Sequence, residues 1–126
     1  HGLLTGKMSE ATTFAPGDWR AQSELFTDEA YPERVAAARE LEAVAREAGR
    51  AGGLAELAVA WVLRRPEITS AIIGARNPDQ ARRNAALAGR PLSADEEAAI
   101  EAVLARHPDA SRPYGHGEPP DPTAAE

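Results

Sequence analysis

Residues 74–84, Gly-Ala-Arg-Asn-Pro-Asp-Gln-Ala-Arg-Arg-Asn, put a glycine, a cation and a helix start within one short stretch. That combination suits an anion. Asn77 reads as an N-cap, Pro78 as the first helical residue, and Gln80 can return a capping bond. A helix start leaves N–H groups unpaired and turns the positive end of its dipole toward the preceding turn. At the carboxyl end of a parallel strand, those groups make a place for a phosphate. Arg76, Arg82 and Arg83 against Asp79 form a positive patch in a chain of formal net charge −6. Lys7 closes the glycine-rich run Gly2-Leu3-Leu4-Thr5-Gly6-Lys7, and Arg20 stands beside Trp19. Plainer readings stay open at each position: a well-capped turn, a solvated lysine, an exposed tryptophan–arginine pair.

Such groups need elements to hold them. Thr69-Ser70-Ala71-Ile72-Ile73 lacks polar alternation and reads as a short strand, at about residues 69–73, covered on both faces. It is the one convincing strand. A lone strand exposes backbone donors and acceptors on both edges, so its apolar character demands neighbours. The chain therefore reads as one end of a strand–helix repeat. Residues 1–7 look like a loop leaving a strand that would precede residue 1. Residues 8–31 form a long excursion with a turn at Pro16-Gly17, and long loops over a barrel mouth often act as lids.

Helical periodicity follows at about 33–48, with Val35, Ala38, Leu41, Ala45 and Ala48 on one face. A second helix spans about 54–65, with Leu54, Leu57, Ala58, Trp61, Val62 and Arg65 in its stripe, and Pro66 stops it. A third is expected at about 78–88. Ser93-Ala94-Asp95-Glu96 reads as a capping box opening a fourth at about 94–106, with Ile100, Val103 and Leu104 inward. Proline, glycine and charge from residue 107 to 126 predict a disordered tail. His107 and His116 in that setting argue against a metal site.

Composition narrows the class. At 126 residues the chain is one domain or part of a larger one. The acidic balance argues against nucleic acid or a membrane surface as partner. With no cysteine, disulfides and thiolate chemistry are excluded. No apolar run approaches a membrane span and no secretory signal is visible, so a cytoplasmic setting is expected. A first residue His1 rather than methionine suggests a truncated frame, a processed product or an incomplete sequence.

Taken together, three segments resemble the carboxyl-terminal part of an aldo-keto reductase, in the family's order. Gly2-Leu3-Leu4-Thr5-Gly6-Lys7 is similar to the segment after the seventh barrel strand. Leu57-Ala58-Val59-Ala60-Trp61-Val62-Leu63 is similar to a family helix, with Glu56 where glutamine is common. Ile72-Ile73-Gly74-Ala75-Arg76-Asn77-Pro78-Asp79-Gln80, ending at Asn84, is similar to the eighth strand and its cofactor-phosphate loop. The resemblance covers about residues 1–106. It implies an α/β fold, a C-terminal fragment of a (β/α)8 TIM barrel. It also implies carbonyl reduction with NADPH, NADH being the alternative. Phosphate sites in such barrels gather at the loops after the last two strands.

On that resemblance, Gly2, Leu3 and Lys7 lie in the first loop, with Lys7 at the pyrophosphate and Arg20 covering it from the lid. Gly74 and Arg76 would meet the ribose-phosphate end of the adenosine. Gln80 and Asn84 would hold the phosphate side and the adenine edge. Arg83 departs from the family's usual glutamate, which contacts the adenine amino group; as a cation it would instead help neutralise a 2′-phosphate beside Arg76. Gly53-Leu54 replaces the Thr-Pro that commonly opens the Trp61 helix, which weakens that cap.

The family's catalytic aspartate, tyrosine, lysine and histidine have no counterpart here; Tyr31, Tyr114 and Lys7 lack their motif contexts, and no residue is assigned a catalytic role. The reading is the cofactor-binding portion of an NAD(P)H-dependent reductase acting on a small carbonyl substrate. Its implied partner is the amino-terminal half of the barrel. The rival readings are a non-catalytic module acting through protein contacts and one half of a split reductase.

Overall fold

The computed structural model describes residues 1–111. Among them the chain is a stack of helices. Helix α1 is a single turn, Glu24–Thr27. Helix α2 covers Tyr31–Glu47, α3 Gly53–Leu63, α4 Pro78–Ala86 and α5 Ala94–Arg106. Short 3-10 turns form at Leu3–Thr5, Trp19–Gln22, Leu87–Gly89 and Pro108–Ser111.

Helix α2 is alanine-rich, a composition that loses little side-chain entropy on coiling. It ends in a Schellman turn. Gly49 takes φ +66°, and the Arg50 N–H reaches back 2.9 Å to the Ala45 carbonyl. That reversal sends the Arg50 side chain inward, and Arg50 is only 4% exposed. Helix α2 packs on α3 and α5, and the turn at Leu87–Gly89 packs on α3. One apolar cluster joins Ala45, Leu57 and Ile100, with Leu41, Val44, Trp61, Leu92 and Leu104 around it. A second gathers Leu25, Phe26, Tyr31 and Val35 under Leu3, Met8 and Phe14.

The cap on α3 comes from another helix. Its own N-cap, Gly52, offers no side chain. Instead Glu42 on α2 accepts the Leu54 N–H at 2.8 Å, and Glu56 accepts the Gly52 N–H at 2.8 Å. Two carboxylates thus stand at the positive end of the helix, where they are favourable. The cap expected to be weak at Gly53-Leu54 is rebuilt from a distance.

The expected strand at 69–73 is not formed. Residues 69–75 have no regular secondary structure, and no strand exists among the described residues to pair with them. A strand's backbone groups need a neighbouring chain, and without one water is their partner. Ile72 is accordingly fully exposed. The 8–31 excursion is not a plain loop: it holds the turn Trp19–Gln22 and helix α1. Its Pro16-Gly17 turn closes with the Asp18 N–H on the Ala15 carbonyl at 3.0 Å, Gly17 taking φ +84°.

The tail expected from residue 107 begins with structure. His107 Nε2 lies 2.9 Å from Glu40, and the Asp109 N–H donates to Glu33 at 3.2 Å, so the turn Pro108–Ser111 lies on α2. The rest of the expected tail, with Tyr114 and His116, lies outside the described residues. Arg65 is exposed and falls beyond the end of α3, outside the buried stripe assigned to it. No helix among the described residues is long and apolar enough to cross a membrane.

Candidate functional site

The stretch at 74–84 folds on its own bonds. Asn77 takes an extended conformation and its side chain accepts the Gln80 N–H at 2.9 Å, the N-cap its sequence suggests. Gln80 returns the bond, its Oε1 accepting the Arg76 N–H at 2.7 Å. Asn84, one further turn along, donates from Nδ2 to the Gly74 carbonyl at 3.0 Å. The two amides therefore tie the loop to α4 and still offer polar groups outward: the NH2 of Gln80 and the Oδ1 of Asn84. A Cβ built on Gly74 would meet nothing within 4 Å. Protein packing does not ask for a glycine there, and the open space over it is room for another molecule.

The cations of this region are available. Arg76 and Arg83 are exposed and form no ion pair among the described residues, whereas Arg82 is taken by Asp79 at 2.7 Å. No residue of α4 is buried. Lys7 is also exposed and unpaired among the described residues.

The lid segment meets the first loop. A Cβ on Gly2 would lie 3.8 Å from Arg20 Nη1, so Arg20 reaches over that loop. Asp18 holds it there: Arg20 Nη2 sits 2.6 Å and Nε 3.0 Å from the carboxylate, and the Arg20 N–H donates to the same group at 3.0 Å. The guanidinium carbon stands 4.6 Å from the Phe14 ring centroid, a cation–π contact. The Arg20 side-chain and backbone bonds hold the Asp18 carboxyl down to about 2, and Arg76 adds a smaller pull of the same sign. Of the expected positions, Gly2 and Arg20 are brought together, and Gly74, Arg76, Gln80 and Asn84 form a second group. Leu3 is half-buried against the cluster under the first loop.

The residues that hold Arg20 were not legible as functional. Asp18 sits two positions before it, a spacing that allows an N-cap bond and an ion pair at once, and that is the only signal. Tyr31 braces the fold, for it is buried and its hydroxyl donates to the Ser9 carbonyl at 3.0 Å. Among the described residues no group of three His, Asp or Glu side chains could hold a metal.

An apolar groove of about 400 Å³ opens beside the first loop, lined by Leu3, Leu41, Leu54, Trp61 and Ile100 among others. It holds none of the free cations and is not the anion site. One buried cation at its edge, Arg34, pairs with Asp28 at 2.6 Å and has an Nε without a partner.

The family model for the aldo/keto reductase family matches residues 1–105. Aldo-keto reductase YhdN of Bacillus subtilis (strain 168) is 34% identical over 104 residues, which is 82% of this chain and 31% of that protein. Among solved structures, the glycerol dehydrogenase AKR11B4 from Gluconobacter oxydans matches with a TM-score of 0.75 at 33% identity. That match covers 92% of this chain and 34% of the other. The chain spans about a third of the length of these relatives.

Proposed function

Since this chain belongs to the aldo/keto reductase family, we propose that it supplies the adenosine-phosphate half of the cofactor site in an NAD(P)H-dependent carbonyl reductase. The observation that carries the reading is the loop at 74–84: two exposed arginines, unpaired among the described residues, beside an open glycine on a capped helix start. The donor set fits a phosphorylated nucleotide. Arg76 and Arg83 would face the 2′-phosphate, Lys7 and Arg20 the pyrophosphate beside Gly2 and Leu3. Gln80 has amide hydrogens left for a phosphate oxygen, and Asn84 has an acceptor left for the adenine amino group.

When bound, the nicotinamide supplies a hydride to an aldehyde or ketone. This chain's residues hold its distant end and close the lid; none of them donates the proton. The reading takes NADPH as cofactor, a small carbonyl compound as substrate and further strands of the (β/α)8 barrel as partner. It takes neither nucleic acid nor membrane as a partner. It places the chain in the cytoplasm, where a reductase meets its nicotinamide pool.

The test is a fluorescence titration with NADPH of the complete reductase that carries this segment. Arg76→Glu reverses the charge offered to the 2′-phosphate, and an affinity loss of roughly tenfold or more is expected. Unchanged affinity in the variant removes the phosphate assignment. A second reading, a non-catalytic module or one half of a split reductase, is favoured by one observation: Ile72 is fully exposed beside the exposed Ile68 and Ile73. In that reading the ribbon pairs with a strand of another chain. A chain that stays monomeric when mixed with the rest of the barrel, the mixture binding no NADPH, would defeat both.

A further inference from the structure

We propose that Arg50 is a positioning residue for the phosphate loop, acting through helix α4; the inference rests on the cofactor reading above. Helix α4 has no buried residue, and its main packing partner is the turn Leu87–Gly89 that continues it. Upstream, residues 69–75 are irregular and mostly exposed. Among the described residues, the loop and α4 meet the helical body at their downstream end.

Two contacts fix that end. Leu87 is buried over the 52–56 turn, so close that a Cβ on Gly52 would fall 2.6 Å from its Cδ2. Just beyond, Arg50 grips the chain by its backbone: Nη1 donates to the Arg90 carbonyl at 3.2 Å and Nη2 to the Pro91 carbonyl at 3.0 Å. The other side of the guanidinium is bound to the body. Nε and Nη2 lie 2.7 and 3.0 Å from the Glu96 carboxylate on α5, and Nη1 lies 3.2 Å from Glu56 on α3. Glu96 in turn accepts from Arg90 at 3.2 Å.

A planar fork can hold two carbonyls and two carboxylates in one plane; an ammonium is a single point. The geometry therefore assigns a transmission. Arg50 sets where residues 90–91 sit, Leu87–Gly89 carries that setting to α4, and the Gln80 and Asn84 bonds carry it to Arg76 and Gly74.

The experiment is amide hydrogen exchange of the full chain, paired with NADPH titration of the complete reductase carrying the same variant. Arg50→Lys keeps the charge and loses the fork. Exchange at residues 78–87 is expected to rise by about tenfold or more, residues 35–45 changing less than about twofold, and NADPH affinity to fall by about fivefold. Unchanged exchange at 78–87 overturns the inference, and so does an equal rise across α2, which would make Arg50 a general stabiliser. Arg50→Met with Glu56→Gln and Glu96→Gln covers the case where Arg50→Lys does not fold. It leaves no buried charge unpaired, so the fold is retained while the two carbonyl grips are absent. The same local rise is expected from it, and its absence overturns the inference. If the complete wild-type reductase binds no NADPH, the cofactor reading falls, and the exchange pattern alone decides whether Arg50 positions α4.

Discussion

The cluster around Arg50 and the loop at 74–84 use the same residue types for opposite ends. Arg50 is buried, and each of its nitrogens donates to a carboxylate or a carbonyl. Arg76 and Arg83 stand in solvent with no acid attached among the described residues. A buried guanidinium must be fully bonded, because an orphaned charge in a low-dielectric interior is expensive. An exposed one has no such demand and stays available to an anion. The lesson is that the cations worth most to stability are the least able to bind a ligand, and the reverse.

The comparison breaks most directly at Arg50. Arg50→Met leaves Glu56 and Glu96 without their partner, and about 3–5 kcal/mol of stability is expected to be lost. A chemical-denaturation curve showing under about 1 kcal/mol of loss would place the cluster with the surface pairs. Arg76→Glu in the same assay is expected to change nothing measurable.

Acid sharpens the contrast. The Arg50 hydrogen bonds, with smaller help from the Ser93 N–H, hold the Glu96 carboxyl at about 2 against an ordinary 4.5. A folded value below the unfolded one means stability present above pH 4.5 and lost as the pH falls toward 2. The melting temperature should therefore fall more steeply over that window in the wild type than in Glu96→Gln. Asp18 is held equally low, but its pair with Arg20 is only half-buried, so Asp18→Asn should flatten the wild-type curve less than Glu96→Gln does. Equal flattening by both variants would erase the distinction.

A smaller effect is expected at Glu42. Glu42→Ala removes the cap that α3 borrows from α2, and about 1–2 kcal/mol should go with it. A thermal melt would register the change, and a neutral result would mean that Glu56 caps the helix alone.

Local chemistry made much of this legible from sequence. Ser93 and Glu96 form their reciprocal capping box, the Ser93 N–H donating to Glu96 at 2.8 Å, because a box needs only residues three apart. Asn77 and Gln80 cap α4 for the same reason. The aldo/keto resemblance was legible from three short segments in order. Long-range pairings were not. Arg50 lies in what reads as a mere break between helices, and its partners at 90, 91 and 96 have no periodic relation to it. Residues 69–73 mark the other limit: an apolar run states that a strand wants burial, while strand formation needs a neighbour to supply the hydrogen bonds, and the described residues hold none.

The carboxylate of Glu42 also governs two glycines far apart in sequence. A Cβ on Gly6 would lie 3.2 Å from its Oε2, and one on Gly53 would lie 3.0 Å from its Oε1. Both glycines already take left-handed backbones, at φ +71° and +59°. Conformation strains a replacement at either glycine, and each would also ask the Glu42 carboxylate to give by a few tenths of an ångström. Diversification at either site therefore carries an epistatic signature: asparagine, which tolerates that backbone, is expected to gain from a shorter side chain at position 42.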